Sequence, residues 1–334
     1  MNHLVLRRLL PATAIALAML TGTPVAAGPY SSLIVFGDSL SDNGNNALAG
    51  LFDPTQVVTG NSYIPSSTYA SGVYSNGPVW ASAVAAAIGV PLAPSLAGGT
   101  DFAFGGATTG TPGPGPGGFP YSLLVQSGMY LGATGNTASP SALYVIAGGG
   151  NDARAALAAI GGGANVATTI AATAASFAAN VGSIVDSLQL AGAQHIVVWD
   201  APNLGVAPAV VAGGAADLAT FLTASMNAAL GARLAGEAGV STFDIFGFST
   251  QLALQPGLFG FSNSSDACGA VAAADCNQYV YWDGIHPTAA GHRAIANAFE
   301  VAVVPEPETW ALLAFGLAAL GWRAQRRVRA TGAA

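Results

Sequence analysis

Short apolar runs rich in β-branched and aromatic residues recur at wide intervals along this chain, with long alanine-rich stretches between them. The runs fall at residues 32–36, 143–147, 195–199 and 241–246, each bounded by Gly, Asp or Asn. That pattern predicts buried strands. A shorter strand is expected near residues 102–104. Helical stretches are expected at residues 79–88, 153–159, 166–191 and 215–238, and a last helix after Pro287 running to about Val301. Proline at or near its first turn suits that start. Strands alternating with helices imply βαβ units, hence an α/β chain with a parallel sheet covered on both faces.

The two ends read as processing signals. Residues 1–27 carry Arg7 and Arg8, an apolar run through Leu20, and the small residues Val25-Ala26-Ala27, the layout of a secretory signal peptide cut after Ala27. At the other end Pro305-Glu306-Pro307 precedes an apolar segment from Trp310 to Trp322, and Arg323, Arg326, Arg327 and Arg329 close the chain. Its 13 residues fall short of the roughly 20 that span a bilayer. The arginines orient it with its end in the cytoplasm. This tail resembles the PEP-CTERM sorting signal of Gram-negative bacteria. The resemblance implies an exosortase-type processing enzyme as partner, transient inner-membrane association before processing, and release or attachment at the cell surface. One domain, residues 28–304, is left between the signal peptide and a tail at 305–334.

That body holds only Arg154, Arg233 and Arg293 as strong bases, with no lysine, against 14 Asp and Glu, a formal charge of −11. Such a surface repels phosphate backbones, so nucleic-acid partners are excluded. The apolar fraction of 52% supplies a core. In an exported chain, Cys268 and Cys276 are expected to close a short loop as a disulfide; paired metal ligands are the alternative. The Pro/Gly-rich segment 109–118 reads as a surface loop able to rim a cleft.

Four separated blocks carry chemistry. They are Gly37-Asp38-Ser39-Leu40, Phe104-Gly105-Gly106-Ala107, Gly149-Gly150-Asn151-Asp152 and Asp283-Gly284-Ile285-His286-Pro287. Each alone reads as a turn or a helix cap. Together they supply what acyl transfer from an ester needs: a nucleophile, a base, a group to orient the base, and donors for the oxyanion. Serine is inert until a neighbour takes its proton, and histidine is the side chain suited to do so near neutral pH. Among the histidines of the body, His195 opens an expected buried strand and is assigned to the core. His292 sits inside the last helix, facing away from its start. His286 lies in a pre-helical loop, with Asp283 three residues before it, in position to fix the tautomer. Main-chain N–H groups of Ser39 and Gly106, with the Asn151 amide, are the expected oxyanion donors. Glycine at 106 lets the backbone approach the reacting oxygen.

At these blocks the chain resembles the GDSL, or SGNH, hydrolase family. FGDSLSDNGN, FAFGGATTG, GGGND and YWDGIHPTAAGH stand in the family's order. The resemblance implies a three-layer α/β/α sandwich with a flavodoxin-like parallel sheet. It also implies hydrolysis of esters, thioesters or acetylated sugars without metal or cofactor. The family's roles fall on Ser39, Gly106, Asn151 and His286, with Asp283 completing the triad; Asp38 and Asp42 are expected to organise the loop of Ser39. The stretch from Asp200 to Gly205 is similar to a Pro-containing loop of the family. Asn is common in the family where Asp101 stands. Residues 63–74 and the 109–118 loop are the expected lining of an acyl or aryl pocket, which points to short-chain or aryl esters. Acyl transfer, polysaccharide deacetylation, and a non-catalytic surface-displayed protein are the alternatives.

Overall fold

The computed structural model describes residues 30–303 except Tyr63, together with Gly316 and Leu317. The expected signal peptide lies outside the described residues, and so does all but that pair of the sorting tail. The strands are β1 (Leu33–Gly37), β2 (Leu143–Ala147), β3 (His195–Trp199), β4 (Val240–Phe243), β5 (Asn263–Ala267) and β6 (Tyr279–Tyr281). The helices are α1 (Asn45–Leu48), α2 (Trp80–Ala87), α3 (Leu123–Ala133), α4 (Gly150–Gly161), α5 (Val166–Leu190), α6 (Pro208–Ala212), α7 (Ala216–Leu234), α8 (Ile245–Leu254) and α9 (Ala289–Val303).

β1 to β4 form a parallel sheet in the order β1-β2-β3-β4. Its register sets Leu33 beside Leu143, and Leu143 beside His195. Because side chains alternate across a strand, the sheet feeds two cores. Ile34, Phe36, Tyr144, Ile146, Ile196 and Val198 join α5 residues such as Phe177 and Ile184 in one cluster. Leu33, Val35, Leu143, Val145, Val197 and Trp199 face the other side, with Trp80 of α2 and Phe299 of α9. Helices thus cover both faces, and the chain is an α/β/α sandwich. Trp80 stacks 4.3 Å from Trp199 and 5.2 Å from Phe299, so truncation to alanine is expected to cost about 3–5 kcal/mol.

Residues 100–104 run along the free edge of β1, where Phe102 and Phe104 N–H groups donate to the Val35 and Gly37 carbonyls at 2.8 and 3.2 Å. The strand expected there is reduced to isolated bridges from Asp101 to Val35 and to Pro94, because the chain turns away at once into the glycine pair. Two further expectations need correction. The fourth strand stops at Phe243, since the Asp244 carboxylate accepts the Gly247 N–H at 2.6 Å and caps α8. His195 is exposed at the amino end of β3 against the Tyr30 ring, not a core residue. Helix α3 left little trace in the sequence: it contains Gly128 and Gly132 and no side chain caps its start.

Candidate active site

All four chemical blocks meet at the carboxyl end of β1 and β2, the edge where open α/β sheets bind ligands. The position of Ser39 is fixed before its chemistry is considered. Gln126, fully buried on α3, clamps the end of β1: its Nε2 donates to the Gly37 carbonyl and its Oε1 accepts the Gly37 N–H, both at 2.8 Å. Trp80 Nε1 donates to Ser41 Oγ at 3.1 Å from the opposite layer. Asp42 then ties the first block to the second. Its carboxylate accepts N–H groups of Gly44, Asn45, Asn46 and Gly105 at 2.9, 2.7, 3.2 and 2.9 Å. Asn46 Nδ2 donates back to the Gly105 carbonyl at 2.9 Å. A side chain at Gly105 would strike the Tyr74 ring, its Cβ lying 2.0 Å from Cε2. Gly106 holds φ +83°, a conformation glycine adopts without strain.

Ser39 Oγ lies 2.8 Å from His286 Nε2. The far imidazole nitrogen, Nδ1, lies 2.6 Å from Asp283 Oδ2. Asp283 is fully buried and its oxygens are saturated: Oδ1 accepts the Ile285 and His286 N–H groups at 2.8 Å each, and Oδ2 also accepts the Tyr69 hydroxyl at 3.1 Å. The loop between β6 and α9 is closed by the Trp282 N–H donating to the His286 carbonyl at 2.8 Å. The neighbouring turn carries the Cys268–Cys276 disulfide, and its Gly269 N–H donates to the Trp282 carbonyl at 2.9 Å. The cysteines are therefore bonded to each other, not offered as metal ligands. The Tyr74 ring lies over the imidazole with centroids 5.3 Å apart.

Asn151 stands in the first turn of α4, so it does not cap that helix. Its Nδ2 donates to the Ala107 carbonyl at 2.8 Å, and its Oδ1 accepts from Arg154 Nη1 at 3.2 Å. Both ends of the amide are thus fixed, with one Nδ2 hydrogen left over. Asp152 anchors the Pro/Gly loop by accepting the Thr109 N–H at 3.0 Å and the Thr109 hydroxyl at 2.7 Å. Ser39, Asn151, Arg154 and His286 line one pocket, with about 350 Å³ of empty volume. Gly106 is not in that lining; the Ala107 carbonyl, one residue on, links it to Asn151. Among the hydrogen bonds of the described residues, none uses the Ser39 or Gly106 N–H as donor, so both are free to face an anion.

Burial dominates the electrostatics around the site. Burial pushes the Asp38 carboxyl up to about 6, opposed by the Leu40 N–H and by His286. Burial lowers the Arg154 guanidinium, opposed by Asp283 and Asp38. His292 is buried in the core beside this loop, with both ring nitrogens unpartnered, and burial takes it down to about 3. It is a neutral core group, inside the last helix as expected. Arranged this way, hydroxyl, imidazole and carboxylate form a chain along which a proton can leave serine, with amide donors beside it.

Sequence reasoning did not find Gln126, Arg154, Asn45 or Asn46, which work only through contacts made in three dimensions. Tyr69 and Tyr74 were expected to line an acyl pocket; they support the Asp283–His286 pair instead.

The sequence model of the GDSL-like Lipase/Acylhydrolase family matches residues 33–299. The chain belongs to that family. A second match, to the PEP-CTERM protein-sorting motif, covers residues 303–327, and that motif marks a chain for export in Gram-negative bacteria. Among curated GDSL relatives, two GDSL esterase/lipase proteins of Arabidopsis thaliana are 30% and 29% identical. The matches cover 37% and 34% of this chain and 43% and 39% of theirs. The chain therefore spans less than half the length of these curated relatives. Similar solved structures include Est24, a carbohydrate acetylesterase from Sinorhizobium meliloti, at TM-score 0.42 and 16% identity over 81% of this chain and 98% of that one. The aryl esterase of M. smegmatis gives TM-score 0.43 and 18% identity over 82% and 99%.

Proposed function

We propose that this GDSL-family chain is a serine esterase that hydrolyses carboxylic esters through an acyl-enzyme on Ser39. The observation that carries the reading is the continuous chain Ser39–His286–Asp283, with separations of 2.8 and 2.6 Å. Ser39 Oγ attacks the ester carbonyl while His286 Nε2 takes its proton. The oxyanion is held by the Ser39 and Gly106 N–H groups and the free Asn151 Nδ2 hydrogen, each donor being worth about 3 kcal/mol of barrier when well placed. Asp283 stabilises the imidazolium, which then protonates the departing alkoxide. Water, deprotonated by the same imidazole, releases the acid and restores Ser39.

Short-chain and aryl esters are the substrate class, consistent with a pocket that carries few charges besides Arg154 and Asp38. The hydrolase body spans residues 28–304, behind a signal peptide at 1–27 and ahead of a sorting tail at 305–334. An exosortase-type enzyme would process that tail and leave the esterase outside the cell or at its surface. The test is turnover of p-nitrophenyl acetate by purified protein. The Ser39→Ala variant should lose turnover by about a million-fold with its circular dichroism unchanged. Undiminished activity in that variant would reject the reading.

A further inference from the structure

Both ends of the body leave the fold at one pole. The Tyr30 hydroxyl donates to the Val303 carbonyl at 2.7 Å, which ties the start of the body to the end of α9. This pole is the amino end of the parallel sheet. The Tyr30 ring packs on His195, which opens β3, and the Ser31 N–H donates to the Ser141 carbonyl just ahead of β2. Ser39 and His286 lie at the opposite, carboxyl end. Helix α5 runs between the two ends and returns to the amino pole at Leu190, where the Ala138 N–H donates to the Ala191 carbonyl at 2.9 Å. Its 25 residues measure about 37 Å.

Charge is divided between the two ends. Asp38, Asp200 and Asp244 follow directly on β1, β3 and β4, and Asp42, Asp152 and Asp283 are tied into the same loops. At the amino pole, segments 134–142 and 189–195 contain no Asp, Glu, Lys or Arg. Nearby, Arg233 bridges Asp186 and Glu237 at 2.6 and 2.8 Å, and Glu300 lies in the last turns of α9. The pole also holds two large apolar side chains in solvent, Leu190 at 91% exposure and Val301 at 80%.

The sorting motif begins at Val303, the last residue of α9. Residues 304–309 stand between that helix and the apolar run Trp310–Trp322. Fully extended, such a link reaches only about 20 Å. A bilayer that holds the run therefore lies close to the amino pole, while an anionic lipid surface repels the acidic loops of the other end. Leu190 and Val301 are the apolar contacts that the pole offers to an interface.

We propose that, while its tail is held in a bilayer, the body rests on the lipid surface through the amino end of its sheet, with Leu190 and Val301 against the interface and Ser39 facing away. The inference goes beyond the esterase reading and does not need it. Together the two describe a tethered enzyme that acts on esters reaching it from solution, not on lipids of the bilayer that holds it.

The test uses the full, unprocessed chain reconstituted into vesicles of phosphatidylethanolamine and phosphatidylglycerol. A fluorescent maleimide is placed on one added cysteine: Ser139→Cys at the pole, or Val211→Cys on α6, whose Ala209 N–H donates to the Gly284 carbonyl of the catalytic block. The native cysteines are bonded to each other and do not take the label. All the substituted positions are exposed, so the packing is left untouched. Lipid with a nitroxide on its headgroup should quench the dye at 139 and spare the dye at 211. Leu190→Asp combined with Val301→Asp should remove most of the quenching at 139 while the chain still floats with the vesicles. Equal quenching at the two positions, stronger quenching at 211, quenching at 139 indifferent to the aspartates, or a chain that does not float with the vesicles overturns the inference. Turnover of p-nitrophenyl acetate by the same vesicles is read separately and bears only on the esterase reading.

Discussion

Asp283 grips His286 at two points, its Oδ2 lying 2.6 Å from the ring Nδ1 and its Oδ1 accepting the main-chain N–H of the same residue at 2.8 Å. The second contact fixes where the imidazole starts; the first fixes which nitrogen faces Ser39. The two contacts can be separated by mutation. Asp283→Asn keeps the shape and the Oδ1 contact but offers an amide to Nδ1, which favours the wrong tautomer. We expect kcat to fall by about ten-thousand-fold with little change in melting temperature, measured with p-nitrophenyl acetate and calorimetry.

In the proposed mechanism Arg154 would act through Asn151. Its guanidinium donates to Asn151 Oδ1 at 3.2 Å, which turns the amide nitrogen towards Ala107 and the pocket. Arg154→Met removes that restraint. The expected outcome is a loss of about tenfold in kcat with KM changed little, because the oxyanion exists only past the ground state. Arg154→Lys should restore part of it. A rise in KM at constant kcat would assign Arg154 to substrate binding instead.

Asp101 carries a consequence for stability against pH. It is fully buried; Oδ1 accepts the Ala103 N–H at 2.9 Å, while Oδ2 has no partner. Burial holds its carboxyl well above the usual range, so the folded protein keeps this proton after the unfolded chain has lost it. Its contribution is therefore intact below the unfolded value near 4 and is lost as pH rises through the folded value. Asp101→Asn keeps the acceptor for Ala103 and does not titrate. Thermal melts at neutral pH should show the variant more stable by about 1 kcal/mol, a rise of roughly 2–4 °C, with the gap closing towards acid. A variant less stable at neutral pH would contradict this.

The sheet and the chemical blocks were legible in the sequence for definite reasons. The strands of a parallel sheet are buried on both faces, so β1 to β3 stand out as unbroken apolar runs. Ser39, Asn151, Asp283 and His286 could be read because each sits in a short local pattern at a strand end. The supports could not be read this way. Gln126 reaches β1 from 89 residues away, and Tyr69 reaches Asp283 across 214. Nothing local distinguishes either from an ordinary helix or loop residue. The apolar run at residues 241–246 overshoots the fourth strand because Phe246 continues it past Asp244, which ends the strand by capping the next helix.

The account stands on Ser39 being the atom that attacks. The measurement that reaches it most directly is covalent labelling: incubate the purified chain with a p-nitrophenyl alkylphosphonate and map the adduct by mass spectrometry after chymotryptic digestion. The account predicts stoichiometric release of p-nitrophenolate and a single phosphonyl group on Ser39, with labelling lost in His286→Ala. A label on another residue, or none on a folded and unmodified chain, would contradict it.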